Sequence, residues 1–396
     1  MDPPQVASAP RSLERTELEA LAAGDAYGCF GPGFERAQTH TRTPRIADGS
    51  MLLLHRITHL EREGGPGGRG YLRATWDFSP DDWFFDGHFK GDPCMPGTLM
   101  FEGCLQAMAI YMASLGFSLV RDGWVFEPEP DVPYQLRCRG QATPTSQELV
   151  YEIFVEEVWD GEVPTLYADL LCTVDGLKAF HCRRMGLQLV PGWPLDSMPE
   201  LLSPPSAPGA VAVVDGFSFD YNAVLACAWG RPSQAFGPMY APFDGPKRVA
   251  RLPGPPYHFM SRVTHLEGPI GEMVPGAIVE LEYDVPSDAW YFQENGAPTM
   301  PYCVLLEAAL QPCGWLASYV GSALTSDSEL FFRNLGGTGT LHQDLLEDFG
   351  TLRTRVKLTD VSTAGGMIIQ SFDVTCFQGE RAIYDLETVF GFFPHV

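Results

Sequence analysis

The stretch Trp83–Tyr111, WFFDGHFKGDPCMPGTLMFEGCLQAMAIY, decides how this chain is read. A histidine, two turn-forming pairs and an apolar helix follow one another within it. Asp92-Pro93 and Pro96-Gly97 are turn signals, and beyond Gly97 the residues Leu99, Leu105, Met108 and Met112 recur at helical spacing, so a helix is expected to start at Gly97. Glu102 and Gln106 lie four apart and share a face of that helix. A carboxylate in so apolar a segment costs free energy unless it is paired or used. Glu102 is therefore a candidate functional group beside His88.

Working outward, the chain repeats itself. FGPGF at 30–34 returns as FGPMY at 236–240, and RITHLE at 56–61 returns as RVTHLE at 262–267, both at an offset of 206 residues. DDWFF at 81–85 is echoed by DAWYF at 288–292, MPGTLMFEGCLQ at 95–106 by MPYCVLLEAALQ at 300–311, and LRCR at 136–139 by LRTR at 352–355. The order of the matches is preserved, so the chain reads as two copies of one fold: residues 1–190, a proline-rich linker over 191–216, and residues 217–396. Each copy is expected to hold a helical arm (Thr16–Ala23 in the first, with a capping box from Thr16 to Glu19), two strands, the apolar helix, and several late strands. Glu148–Val158 is rich in β-formers, and Asp160-Gly161 and Asp175-Gly176 are turn signals. One long helix amid antiparallel strands is an α+β layout.

Composition bounds the function. Fifty acidic against 26 basic side chains give a net charge of -24, which argues against a nucleic-acid-binding surface. None of the ten cysteines forms a C-x-x-C pair and several fall in apolar runs, as expected of core thiols in a reduced, cytoplasmic protein. MDPPQVASAP lacks the basic start and apolar run of a signal peptide. The most apolar segment, Pro301–Leu324, contains Glu307 and Pro312 and reads as a buried helix rather than a membrane span. No metal-ligand spacing, P-loop or G-x-S-x-G is present. GPGGRG at 65–70 matches G-x-G-x-x-G, but a strand-like segment, Tyr71–Phe78, follows it where a dinucleotide site needs a helix, so a hairpin loop is expected.

His88 stands apart because it is not repeated. His59 and His265 occupy equivalent places in the repeated THLE, where a structural or exposed role is the default. The histidine column of the second copy holds Gln293 when the copies are aligned on Met300-Pro301, and Asn295 when they are aligned on the aromatic triplet. Tyr302 stands where the first copy has Gly97. Taken alone, a histidine in a turn is more often a solvated or capping side chain. Its neighbours argue otherwise.

GHFKGDPCMPGTLMFEGCLQ resembles the active-site signature of the hot dog fold dehydratases acting on β-hydroxyacyl-carrier-protein thioesters, particularly the dehydratase/isomerase type. The whole chain is similar to the tandem dehydratase regions of bacterial polyunsaturated fatty acid synthases. The resemblance implies a double hot dog, a pseudo-dimer within one chain in which each copy wraps an antiparallel sheet around a long helix. It implies dehydration of 3-hydroxyacyl thioesters delivered on the phosphopantetheine arm of an acyl carrier protein, with other synthase domains as partners, and with no cofactor, metal or membrane involved. In this family the histidine of one fold works with the acid of the partner fold. By position, His88 matches the catalytic histidine and Gly97 the glycine whose N–H meets the thioester carbonyl. Glu102 and Glu307 both match the acid, and Gln311 matches the polar residue that supports it. The cross-fold rule pairs His88 with Glu307 and leaves Glu102 as the alternative acid facing a histidine-free cavity. Glutamate stands where the dehydratase/isomerase type commonly has aspartate. Thioester hydrolysis on the same fold, and a non-catalytic acyl-binding scaffold, are the competing readings.

Overall fold

A computed structural model describes residues 11–192, 205–245, 249–327 and 329–394. Its organising elements are two 18-residue helices, Gly97–Ser114 (α2) and Tyr302–Tyr319 (α4). Every residue of α2 except Gly97 is buried, as is every residue of α4 except Leu310 and Ser318. A helix apolar on all sides must be enclosed. Here the enclosing element is a sheet. The segment Tyr302–Leu324 is long and apolar enough to cross a membrane by length and composition, but 89% of its apolar window is buried inside the protein.

Seven strands belong to the first copy: β1 (Arg56–Glu61), β2 (Tyr71–Asp77), β3 (Trp124–Pro128), β4 (Tyr134–Cys138), β5 (Glu148–Trp159), β6 (Thr165–Val174) and β7 (Leu177–Pro191). The second copy contributes β8 (Arg262–Glu267), β9 (Ile278–Asp284), β10 (Leu330–Leu341), β11 (Thr351–Ala364), β12 (Met367–Gln378) and β13 (Arg381–Pro394). All thirteen join one sheet in the order β1-β2-β5-β6-β7-β4-β10-β13-β12-β11-β9-β8, with β3 paired to β7. The order reads as a palindrome about the β4–β10 seam, as two-fold pseudo-symmetry requires. In the first copy β2, β5, β6 and β7 pack on α2; in the second β9, β11 and β12 pack on α4; and the two helices touch each other. This is the double hot dog, in the α+β class.

The repeat extends to register. β1 pairs antiparallel with β2 and β8 with β9, and each pair carries a bulge at the same place, between Ile57 and His59 and between Val263 and His265. Both THLE histidines are exposed, and His265 meets Glu267 at 2.7 Å. At the seam, Gly336 faces Arg137 with φ +136°, where an added Cβ would run into the Leu136 carbonyl. Only glycine takes that conformation without strain.

Local expectations fared unevenly. The helix starts at Gly97, and residues 64–70 form the turn between β1 and β2. The capping box is displaced. The arm helix α1 spans Arg15–Ala22, and its box joins Glu14 to Glu17, the Glu14 amide donating to Glu17 Oε2 at 2.8 Å. Thr16 falls inside the helix, past the capping position, and Glu19 pairs instead with Arg15, accepting from its Nε at 3.0 Å one turn away. The second copy repeats the arm as α3 (Tyr221–Trp229), capped by Asp220, whose carboxylate accepts from the Ala223 amide at 3.1 Å. Of the linker expected over 191–216, residues 193–204 lie outside the described residues. The part that follows docks on the second copy, where the Gly209 amide donates to Glu282 and the Ala212 amide to the Val263 carbonyl.

Candidate active site

The Pro-Gly turn before α2 aims the start of that helix, and the loop ahead of it, at the face of α4. His88 ends a one-turn helix, Phe84–Gly87, and is 8% exposed. Its Nδ1 donates to the Cys94 carbonyl at 2.8 Å, and the Cys94 amide returns a bond to the His88 carbonyl at 2.7 Å. With the proton on Nδ1, the lone pair is left on Nε2. Burial pushes the His88 pKa down to about 4, against the raising effect of the Cys94 carbonyl and with the Arg333 charge acting in the same direction as burial. The ring is therefore neutral at pH 7.

Glu307 reaches the same cavity from α4 and is 6% exposed. Thr98 Oγ1 donates to its Oε2 at 2.9 Å, and Gln311 Nε2 donates to its Oε1 at 3.2 Å. Burial raises the Glu307 pKa to about 7, with these two hydrogen bonds moderating the rise. Gln311 is itself fixed, accepting from the Phe259 amide at 2.8 Å and donating to the Tyr257 carbonyl at 2.8 Å. Thr98 also meets the Tyr257 hydroxyl at 3.1 Å.

His88, Gly97, Glu307 and Gln311 all line one cavity of about 110 Å³, walled by Met100, Leu136, Phe180, Leu306, Leu310 and Phe332. Gly97 is the first residue of α2, so its amide has no acceptor within the helix and forms part of the positive end of the helix dipole. A Cβ placed there would meet only Cys138 Sγ, at 3.6 Å, so the absent side chain leaves room that belongs to the cavity.

Glu102 is elsewhere. It lines a second cavity of about 60 Å³ with Gln106, Asn295 and Tyr302, away from His88. The supports are repeated there: Gln106 accepts from the Leu53 amide at 3.0 Å and donates to the Met51 carbonyl at 2.7 Å and to Glu102 at 3.3 Å. Cys303, next to Tyr302 as Thr98 is to Gly97, contacts the Glu102 carboxyl through its amide and its thiol, and burial raises the Glu102 pKa. Of the two residues aligned with His88, Asn295 lines this cavity and Gln293 does not. The Tyr302 hydroxyl donates to Tyr134 at 2.6 Å, and Tyr134 meets Tyr384 at 2.6 Å, so a tyrosine cluster ties down a ring where the first site has open space.

Sequence reasoning missed Thr98 and Arg333. Thr98 had a signal, since it adjoins Gly97 and its column holds a thiol in the second copy. Arg333 had none, because no repeated motif surrounds it. Among the described residues no group of three or more His, Cys, Asp or Glu side chains is arranged to hold a metal ion.

Comparison with known proteins places the molecule. A family model described as a FabA-like domain matches twice, over residues 46–183 and 252–387. A polyunsaturated fatty acid synthase polypeptide of Thraustochytrium sp. is 24% identical, and the alignment covers 96% of this chain and 33% of that protein, so the chain spans about a third of the length of that relative. Among solved structures, the dehydratase domain of RzxB from Pseudomonas fluorescens aligns at 17% identity and a TM-score of 0.44, covering 88% of this chain and all of that one. A structure described as a putative oleoyl thioesterase from Lactobacillus plantarum aligns at 7% identity and a TM-score of 0.44, covering 82% of this chain and 97% of that one. The two domain matches together take in well over half of the residues and coincide with the two halves of the sheet. The chain belongs to the FabA-like domain family and carries that domain in tandem.

Proposed function

We propose that this chain removes water from 3-hydroxyacyl thioesters to give trans-2-enoyl thioesters, at one site shared between its two copies. One observation carries the reading: a neutral histidine with Nε2 free and a carboxyl that keeps its proton up to about pH 7 line the same apolar cavity from different copies. Dehydration needs a base at C2 and an acid at C3. His88 Nε2 takes the C2 proton, and the electron pair of that bond moves toward the thioester carbonyl. The charge growing on its oxygen is met by the Gly97 N–H, a donor of a kind worth roughly 3 kcal/mol of barrier. The double bond then forms between C2 and C3 as Glu307 gives its proton to the departing hydroxyl, which leaves as water. Proton exchange with solvent returns His88 and Glu307 to their starting states. The second cavity has glutamate but neither histidine nor glycine, and it is inactive.

The substrate rides on the phosphopantetheine arm of an acyl carrier protein, within fatty acid, polyunsaturated fatty acid or polyketide biosynthesis, and no further cofactor takes part. The name of the Thraustochytrium relative supports that setting. So does the surface beside the cavity. The strands whose inner residues Leu136, Cys138 and Phe180 line it expose Arg137, Arg139, Lys178 and Arg183 outward, on a chain of net charge -24. A cationic face suits an anionic carrier.

The test is an assay of 3-hydroxyacyl thioesters of several chain lengths, following ultraviolet absorbance of the enoyl product and release of free thiol. Enoyl formation without thiol is the expected result. Thiol release without enoyl product would make the chain a thioesterase, and bound acyl chain without turnover would make it a scaffold. Product geometry in the same assay reports any movement of the double bond from trans-2 to cis-3.

A further inference from the structure

The loop that carries His88 is gripped from the other copy. Arg333 lies on β10, in the copy without a catalytic histidine. Its Nη1 forms an ion pair with Asp92 Oδ2 at 2.7 Å, and its Nε donates to Gln141 Oε1 at 2.8 Å. Nη1 also donates to the Phe332 carbonyl at 2.8 Å, which anchors the guanidinium to its own strand. Both side-chain partners belong to the histidine-bearing copy. Asp92 lies in the loop itself, where it exchanges two backbone hydrogen bonds with Phe89. Gln141 precedes Ala142, whose carbonyl accepts from the Met95 amide at 2.9 Å at the far end of the loop. The ion pair is largely withdrawn from water, with side-chain exposures of 23% and 24%. A planar guanidinium fork holding two partners gives more directional restraint than a point charge.

The pseudo-symmetric position is built differently. The Met95–Ala142 bond recurs as Met300 amide to Leu345 carbonyl at 2.7 Å, so Gln141 corresponds to Asp344. Phe126 and Phe332 line corresponding walls of the two cavities, so Glu127 corresponds to Arg333. Glu127 and Asp344 hydrogen-bond to each other. The cavity with the histidine has a cation here, and the cavity without it has a pair of carboxyls.

We propose that Arg333 is a positioning residue for the reaction: by holding Asp92 and Gln141 together it fixes the His88 loop of one copy against the acid-bearing copy, and so maintains the approach of His88 Nε2 to a substrate whose hydroxyl faces Glu307. Arg333 thus adds to the polar groups, Glu307 and Gln311 among them, that the second copy contributes to the site. The inference rests on the dehydratase reading for its kinetic consequence, but the restraint on the loop can be measured without turnover.

The experiment uses the full chain and the variants Arg333→Gln, Asp92→Asn, their double, Arg333→Lys, and Glu127→Gln as the pseudo-symmetric control. Arg333→Gln and Asp92→Asn should each lower kcat by about tenfold or more with KM little changed, since small misplacements of a reacting group cost rate rather than binding. The double should be no worse than the more impaired single, because one latch is lost once. Arg333→Lys should recover part of kcat, and Glu127→Gln should match the parent. Independently of turnover, the rate at which diethyl pyrocarbonate modifies His88, read by mass spectrometry of its peptide, should rise several-fold in Arg333→Gln and Asp92→Asn and stay unchanged in Glu127→Gln. Additive losses in the double, or a raised KM with kcat retained, would overturn the proposal, the latter by making Arg333 a substrate-binding group. Unchanged labelling of His88 in both singles would overturn it as well. If the parent chain shows no dehydration, the dehydratase reading fails and the labelling alone decides whether the latch exists.

Discussion

Glu307→Gln is expected to make the protein inactive and, above neutral pH, more stable. The carboxyl is 6% exposed, and burial lifts its pKa from 4.5 to about 7. In the unfolded chain it ionises near its ordinary value, so between these two pH values the folded state binds a proton that the unfolded state has lost. Stability then falls as pH rises through that window, and the full penalty is present above pH 7. A shift from 4.5 to about 7, at 1.36 kcal/mol for each pKa unit, sets an upper bound of roughly 3 kcal/mol. Glutamine is neutral and nearly isosteric. The Gln311 amide can still donate to its carbonyl, and the Thr98 hydroxyl can turn to accept from its amide while donating to the Tyr257 hydroxyl. Allowing for that rearrangement, a gain of about 1–3 kcal/mol at pH 8.5 is expected, none of it present at pH 4.5. Loss of the general acid should cost on the order of 10²- to 10⁴-fold in kcat. Thermal unfolding of parent and variant at pH 4.5 and 8.5, with enoyl formation measured on the same samples, provides the assay. A variant no more stable than the parent at pH 8.5 would refute the claim that Glu307 is held neutral by its surroundings, and retained turnover would remove it as the acid.

Three further outcomes follow from the same geometry. The pH profile of kcat/KM should rise through about pH 4, as His88 loses its proton, and fall through about pH 7, as Glu307 loses its own; a rate still climbing at pH 8.5 would refute the requirement for a protonated Glu307. Glu102→Gln should leave kcat within about threefold of the parent, because that carboxyl lines the histidine-free cavity, and a loss matching that of Glu307→Gln would mean the site is built within one copy. Gly97→Ala should fold normally, since its methyl group meets only Cys138 Sγ at 3.6 Å, yet lose about tenfold or more in kcat/KM by intruding where the thioester must approach the backbone. Unfolding and steady-state assays on the same preparation separate the two effects.

The fold was legible because it is written twice. Each motif was too short to establish a fold, but the ordered set of matches about half a chain apart requires two copies, and a mostly apolar run such as Leu99–Met112, interrupted by Glu102 and Gln106 alone among its larger side chains, requires a helix enclosed on every side. The four residues named from the sequence for the proposed site line one cavity, and Glu307 and Gln311 could be located only because Glu102 and Gln106 stand in the matching motif. What escaped the sequence depends on contacts between the copies. No pattern near Arg333 predicts that it meets Asp92, some 240 residues earlier in the chain, or that Thr98 of the other copy joins Gln311 in donating to Glu307. The misplaced capping box is an error of helix boundary, since the helix begins at Arg15 and the same spacing is met two residues earlier by Glu14 and Glu17.

On the proposed reading of one live site, the asymmetry of the two cavities also explains how a tandem chain keeps its fold with only one of them equipped. The carboxyls of Glu102 and Glu307 are supported alike, each by a glutamine whose amide is fixed by backbone of its own copy, and both are pushed toward the neutral form by burial. A protonated glutamic acid that is hydrogen-bonded costs a core far less than an ionised one, so Glu102 can be kept where it has no partner for catalysis. The histidine position is different. A buried imidazole needs its loop held and its polar edge served, and the His88 loop has both, through the Cys94 carbonyl of its own copy and the Arg333–Asp92 pair across to the second. In the second copy Asn295 meets its needs locally, donating to the Thr299 carbonyl at 2.8 Å, while Tyr302 occupies the space that Gly97 leaves open. Restoring histidine at 295 alone should therefore not revive the second site: the ring would lack an anchored loop, and the thioester would still meet tyrosine where it needs a bare amide.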